Sequence, residues 1–207
     1  MPRIIAAFAY RYEPDWLVDQ LRENLSWVDG FAELDERGRS DLWSPRAQRN
    51  ADLRAIALEM EPDWIYWTAP DERLEDRGAR VLRRLSRRAP GRYRLHLREM
   101  WTPDAYRVDS FWGSKGHTRF FRPGKRRIKA ADPTRTIDLN IYHLKMIDPA
   151  NRAERARVHG IANTWDNKAR GFDYMLDERG LRLESIPAGR GYSPPYTPYL
   201  FDVQGNG

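Results

Sequence analysis

Three kinds of residue in this sequence can do chemistry on a phosphorylated ligand. Asp35-Glu36 and Asp71-Glu72 are acidic pairs, His143 closes a strand-like run, and Arg46 and Arg49 share a helix-like segment with Asn50. Carboxylates and an imidazole are hard ligands that suit Mg²⁺ or Mn²⁺. Arginines place planar, charge-assisted donors on phosphate oxygens. Together they suit a diphosphate, whose charge must be neutralised and whose departure a carboxylate-clamped ion would assist. Asp35 has the position to accept hydrogen bonds from a ribose or base. The chain has no cysteine. That excludes a thiolate nucleophile, a disulfide framework and cysteine-ligated zinc or iron–sulfur sites.

The elements that must position these groups follow from periodicity. Residues 3–10 read as a buried strand, and Pro14 opens a helix with Trp16, Leu17, Leu21 and Leu25 on one face. Phe31–Leu34 is a second strand that ends at Asp35. Ser44-Pro45 reads as an N-cap and first helical proline, followed by the apolar stripe Leu53, Ile56, Ala57 and Met60. Pro62-Asp63 breaks that helix before the strand Trp64-Ile65-Tyr66-Trp67. The alternation βαβαβ predicts an α/β fold: a mixed, mostly parallel sheet with flanking helices. Ligands of such sheets bind at the carboxyl ends of the strands. Residues 10–13, Asp35, residues 68–72 and His143 are expected there.

Downstream, Leu74–Leu85 is predicted to be helical, and Tyr93, Leu95 and Leu97 alternate with Arg94, His96 and Arg98 in a half-exposed strand. Ala105–Phe111 and Arg119–Phe121 are expected to form a hairpin around the Gly113–Gly116 loop. Thr136–His143 is a strand and Asn151–Trp165 a helix. Pro187–Pro198, rich in Gly, Pro and Tyr, should lie over the surface as an extended tail. The expected organisation is one domain over 1–186, with a nucleotide-binding half (1–75) and an acceptor and metal half (92–165), followed by the tail 187–207.

With 207 residues and 41% apolar composition, the chain is long enough for a real core. No apolar run approaches the roughly 18 residues of a membrane span, and the first strand is too short for a signal-peptide core. A cytoplasmic protein without membrane contact is expected. Its net charge is +6, from 36 basic and 30 acidic residues, and only five of the bases are lysines. Acids are interspersed nearly everywhere, so most charges should pair on solvated surfaces.

The run Gln48-Arg49-Asn50, then Asp63-Trp64-Ile65, then Asp71-Glu72-Arg73-Leu74-Glu75 resembles the family 2 glycosyltransferases with a GT-A fold. Tyr142-His143-Leu144 is similar to the element that gives many of them a metal-binding histidine. The resemblance covers roughly residues 3 to 150. It implies a GT-A, Rossmann-like sheet. It also implies transfer of a sugar from a nucleotide diphosphate donor to a soluble acceptor, namely a protein, a glycan or modified DNA. Asp71 and His143 would hold a divalent metal, Mn²⁺ or Mg²⁺, with Glu72 assisting. Asp35, Arg46, Arg49, Asn50 and Asp71 would contact the donor. Where the family has the first acid of its Asp-x-Asp motif, this chain reads Ala69-Pro70-Asp71, so Asp71 alone keeps a ligand position.

Inverting transfer needs a general base within hydrogen-bond reach of the acceptor hydroxyl. Asp109 and Asp104 are the candidates, with Glu99 third. Trp101 and Trp112 offer flat faces to a sugar, and the basic loop Gly113-Ser114-Lys115-Gly116 is expected to fold over the donor. A reading of another class is a non-catalytic nucleic-acid-binding module on the same fold, favoured by the missing acid at Ala69. The arginine-rich segment 80–94 reads as a solvated helix face, with DNA contact as its alternative. A nucleotidyltransferase would carry a Gly-rich phosphate loop after the first strand, and Ala9-Tyr10-Arg11-Tyr12 has no glycine.

Overall fold

The structure is a computed structural model, and it describes residues 1–41, 44–88, 91–123, 133–162 and 172–201. Strand β1 (Ile4–Tyr10) is the hub of the first half. Its side chains alternate between two cores, as the period of two in a strand requires. Ile4, Ala6 and Phe8 face helix α1 (Asp15–Asn24), which buries Leu17, Val18 and Leu21. Trp16 lies off that stripe, half exposed, and meets the ring of Tyr199 edge-on instead. Ile5 and Ala7 face the opposite way, toward helix α2 (Arg46–Glu59) and its Leu53 and Ala57. Pro45 occupies the N-cap of α2, with Ser44 buried one residue earlier, a shift of one position from the expected cap. Strands β2 (Gly30–Asp35) and β3 (Trp64–Trp67) flank β1, both parallel to it.

The chain then departs from the expected helix over 74–85. Glu72–Leu74 is strand β4, and helix α3 (Gly78–Ser86) begins only after it. Next come β5 (Arg92–Thr102), β6 (Ala105–Arg107), β7 (Gly116–Phe121) and β8 (Thr134–His143). Helix α4 (Pro149–Ala162) and the short β9 (Leu183–Ser185) follow. The helix expected to reach Trp165 passes there beyond the described residues. The expected hairpin between 105–111 and 119–121 does not form. β6 folds back on β5 through Met100 and Tyr106, while β7 inserts antiparallel between β3 and β5. Aromatic packing explains the choice: Phe120 stacks on Trp64 at 4.6 Å and also meets Tyr93, sealing the core across three strands.

The sheet is mixed, as expected for an α/β fold, with order β2-β1-β3-β7-β5-β8-β4. Among the described residues, parallel pairing is confined to β1–β2, β1–β3 and β5–β8, and the other five pairings are antiparallel, more than a mostly parallel sheet would have. Among the described residues no helix is long and apolar enough to cross a membrane.

Residues 187–198 form no helix or strand and lie exposed or half-buried over the surface, as expected, and the chain is anchored just beyond them. Tyr199 and Phe201 are buried against Tyr12, Leu17 and Val158. Asn151 clasps them, donating from Nδ2 to the Tyr199 carbonyl (2.6 Å) and accepting at Oδ1 from the Phe201 N–H (2.7 Å). Residues 202–207 lie outside the described residues.

Candidate active site at the carboxyl edge of the sheet

Asp71 ends the turn between β3 and β4. Three contacts hold that turn: Thr68 N–H donates to the Ala7 carbonyl (3.0 Å), Glu72 N–H to the Ala69 carbonyl (3.0 Å), and the buried Arg73 guanidinium to the carbonyls of Pro70 and Glu72. Because β4 pairs antiparallel with β8, Glu72 lies opposite His143, and because β8 pairs parallel with β5, His143 lies opposite Glu99. Sheet register therefore brings together three segments far apart in sequence.

The result is a buried chain of alternating charge. His143 Nε2 is 3.3 Å from Asp71 Oδ1, and its Nδ1 is 3.0 Å from Glu99 Oε2. Neither His143 Nδ1 nor Glu99 Oε2 finds an aligned hydrogen-bond partner, so their contact is a charge pairing at close range. Glu99 Oε1 accepts from Lys115 Nζ (3.0 Å), with Lys145 Nζ at 3.9 Å. On the other side, Arg155 of α4 donates from Nη2 to Asp71 Oδ2 (3.0 Å) and the Tyr199 hydroxyl (3.2 Å), with Glu13 Oε1 at 3.8 Å. Glu72 is held separately by Thr68 and by Arg119.

These neighbours set the protonation states. Burial opposes ionisation of Asp71, yet His143 and Arg155 hold its carboxyl well below the ordinary range. Burial likewise opposes a charged Glu99, and Lys145, His143 and Lys115 overcome it, keeping the carboxylate ionised. For His143, burial and Lys145 disfavour the imidazolium, but the two carboxylates outweigh them and raise its pKa. Glu13 differs: burial raises its pKa, with Arg155 opposing and Asp71 adding. His159, buried near the end of α4, is pushed down to about 3 by burial and then by Lys145, Arg155 and Arg49. Lys145, Arg155 and Arg49 therefore lie within electrostatic reach of this imidazole, beside the carboxylates of Asp71, Glu99 and Glu13.

The expected site residues divide into two groups. Asp71 and His143 meet directly, and Arg49 reaches the same edge, 3.9 Å from Glu36 and within electrostatic reach of Glu13. With residues 9–13, Glu36 and Ser44 it walls a cavity of about 30 Å³ at the ends of β1 and β2. Arg46 is exposed one turn earlier on α2, and Asn50 is half-buried beside Arg49. Asp35 is engaged by Arg37, which pairs with both of its carboxylate oxygens. Asp104 accepts from the Thr102 hydroxyl (2.6 Å), and Asp109 pairs with Arg107 (2.8 and 2.9 Å), so neither joins the Asp71 cluster. Trp101 and Trp112 are buried, and their faces are covered by Arg152 (4.0 Å), Arg107 and Lys115 (3.8 Å), so a sugar finds no platform on them.

Asp71 and His143 fit a shared ion in one respect. Two atoms bonded to one ion at about 2.1 Å stand roughly 3.0–3.4 Å apart, which matches the 3.3 Å between Oδ1 and Nε2. A carboxylate behind the far imidazole nitrogen, the place of Glu99, is the usual partner of a ligating histidine. Arg155 and Lys145 are site residues that sequence reasoning missed, and Glu13, expected at the carboxyl end of β1, joins them. Arg152, Arg155 and His159 recur on one face of α4 beside the buried Ala156 and Val158, where a helix ordinarily places apolar residues, and their burial there depends on partners from other segments.

Compared with models of known protein families and with curated proteins, the chain matches none of them.

Proposed function

We propose that this protein is a GT-A-like transferase that moves a sugar from a nucleotide diphosphate donor to a protein, a glycan or modified DNA. The observation that carries the reading is the meeting of Asp71 and His143 at the carboxyl edge of the sheet, with Glu99 on the far nitrogen of the imidazole. Support also comes from Arg49 at the ends of the parallel strands β1 and β2, where open α/β sheets take nucleotides. The cavity there has room for about one water, so donor entry requires the segments at Arg11–Glu13 and Ser44 to part.

A divalent ion on Asp71 and His143 would neutralise the diphosphate and stabilise its departure. The chain's own groups do the rest. Glu99 orients the imidazole, and Lys115 and Lys145 hold Glu99 ionised. Arg49 binds phosphate oxygens. Glu13, whose pKa burial raises, accepts the proton of the acceptor hydroxyl. A metal-independent variant of the same reading is favoured by Arg155, whose guanidinium already sits on the second oxygen of Asp71. Arg155, Lys145 and Arg49 then neutralise the leaving group unaided.

Calorimetric titration with UDP, GDP and their sugar conjugates, in Mn²⁺ or in EDTA, tests the proposal. Binding that requires Mn²⁺ and disappears in Asp71→Ala and His143→Ala is the expected result. Binding unaffected by EDTA selects the arginine-based variant. No binding of any nucleotide by the folded protein overturns the transferase reading.

A further inference from the structure

Buried polar atoms of a folded protein are nearly always hydrogen-bonded, so those that are not call for a reason. Three of them belong to residues that line one cavity, at the ends of β1 and β2. Glu36 is only 2% exposed, yet its Oε1 has no hydrogen-bond partner. Arg39 and Arg49 stand 3.9 Å from its two oxygens, too far to bond them. Ser44 is buried with an unpartnered hydroxyl, and Arg11 is buried with an unpartnered Nη1. The other terminal nitrogen of Arg11, Nη2, is held by the carbonyls of Arg39 and Asp41.

These groups are chemically complementary to a ligand that both donates and accepts. A carboxylate only accepts, a guanidinium only donates, and a hydroxyl does either. Asp35, the acid expected to meet a ribose or base here, is fastened to Arg37, whereas its neighbour Glu36 lines the cavity. The Glu36 N–H donates to the Tyr10 carbonyl (2.9 Å), which fixes the residue just past the last pair of β1 and β2. Glu13 lines the same cavity and lies 3.8 Å from Arg155, the partner of Asp71. Cavity and Asp71 therefore share one wall, and a single nucleotide can place its base in the first and its diphosphate at the second.

We infer that Glu36, Arg11 and Ser44 read a guanine base; that the donor is then a GDP-sugar rests on the transferase reading. Among the common bases guanine alone carries two adjacent N–H donors, on N1 and N2, beside the O6 carbonyl. The two donors meet the two oxygens of Glu36, O6 accepts from Arg11 Nη1, and the second proton of the 2-amino group meets the Ser44 hydroxyl. Uracil has a single N–H between two carbonyls, so one carboxylate oxygen would face a carbonyl oxygen. Adenine and cytosine set one amino group beside a ring nitrogen that only accepts. The cavity of about 30 Å³ is small, so the base enters by the parting at Arg11–Glu13 and Ser44 that the donor already requires.

The test is calorimetric titration of the full chain with guanosine and with the diphosphates of guanosine, inosine, uridine and adenosine. Inosine lacks only the 2-amino group. GDP should bind about tenfold or more tightly than the other three diphosphates, the worth of one hydrogen bond to a charged group. Glu36→Gln keeps the shape of the side chain and turns one acceptor into a donor. It should weaken GDP about tenfold or more and strengthen xanthosine diphosphate, whose 2-carbonyl accepts from the new amide. Pyrophosphate, which has no base, should bind both proteins alike, and thermal melting checks that the variant is folded. GDP bound no better than UDP, or bound unchanged by Glu36→Gln, would overturn the inference and leave the transferase reading standing. Guanosine bound through Glu36, with no affinity added by the diphosphate of GDP, would uphold the base site and overturn the transferase reading. Binding of neither nucleoside nor nucleotide would overturn both.

Discussion

Replacing Arg155 with methionine keeps most of its length and removes its charge from a site where it is 5% exposed. Two carboxylates lose their partner, since Nη2 lies 3.0 Å from Asp71 and 3.8 Å from Glu13. At an effective dielectric of about 20 these attractions are worth roughly 5.5 and 4.4 kcal/mol before desolvation is counted. Much of that is offset by the burial cost of the guanidinium itself, leaving a net loss of about 3–5 kcal/mol, the usual consequence of breaking a buried pair. Asp71 retains His143, so the uncompensated charge falls mainly on Glu13, whose pKa should rise further. Stability of Arg155→Met should therefore recover on acidification toward the pKa of Glu13, as its folded form takes up a proton. Adding Glu13→Gln should restore at least about 1 kcal/mol at neutral pH, because residues in one ionic network are not additive. Urea denaturation followed by tryptophan fluorescence at pH 7 and pH 5 measures all three effects. A loss below about 1 kcal/mol, with no gain from Glu13→Gln, would mean that the cluster is solvated and that the reasoning fails.

Two further outcomes follow from the same geometry. The folded pKa of His143 is raised, so its stabilising contribution is complete below its unfolded value, about 6.5, and is lost as pH rises through the folded value. Glu99→Gln removes one of the two carboxylates that raise it, and NMR titration of His143 should show a lower pKa and a weaker loss of stability with rising pH. Phe201→Ala empties a site between Tyr12 and the Arg155 guanidinium, which lies 4.0 Å over the ring. It should cost about 3 kcal/mol in urea denaturation, and a neutral outcome would show that the tail is not anchored there.

Local pattern determined the first half of the molecule. Ile4–Tyr10 alternates its faces, α1 and α2 carry apolar stripes, and Trp64–Trp67 is bounded by Pro62-Asp63 and the turn at Ala69-Pro70. Each signal is contained within a few residues, so the βαβαβ order and the place of Asp71 on its carboxyl edge were legible. His143 was legible for the same reason, as the end of a strand. What lay beyond the sequence was which strands pair and which charges are buried. β7 joined β3 and β5 because Phe120 completes a stack with Trp64 and Tyr93, residues that meet only once the sheet is assembled. Arg155 on a helix looks like any solvated arginine until Asp71, Glu13, Tyr199 and Phe201 close around it. Backbone periodicity is local and can be read along the chain, whereas the burial of a charge depends on partners from distant segments, and only the tertiary structure brings them within reach.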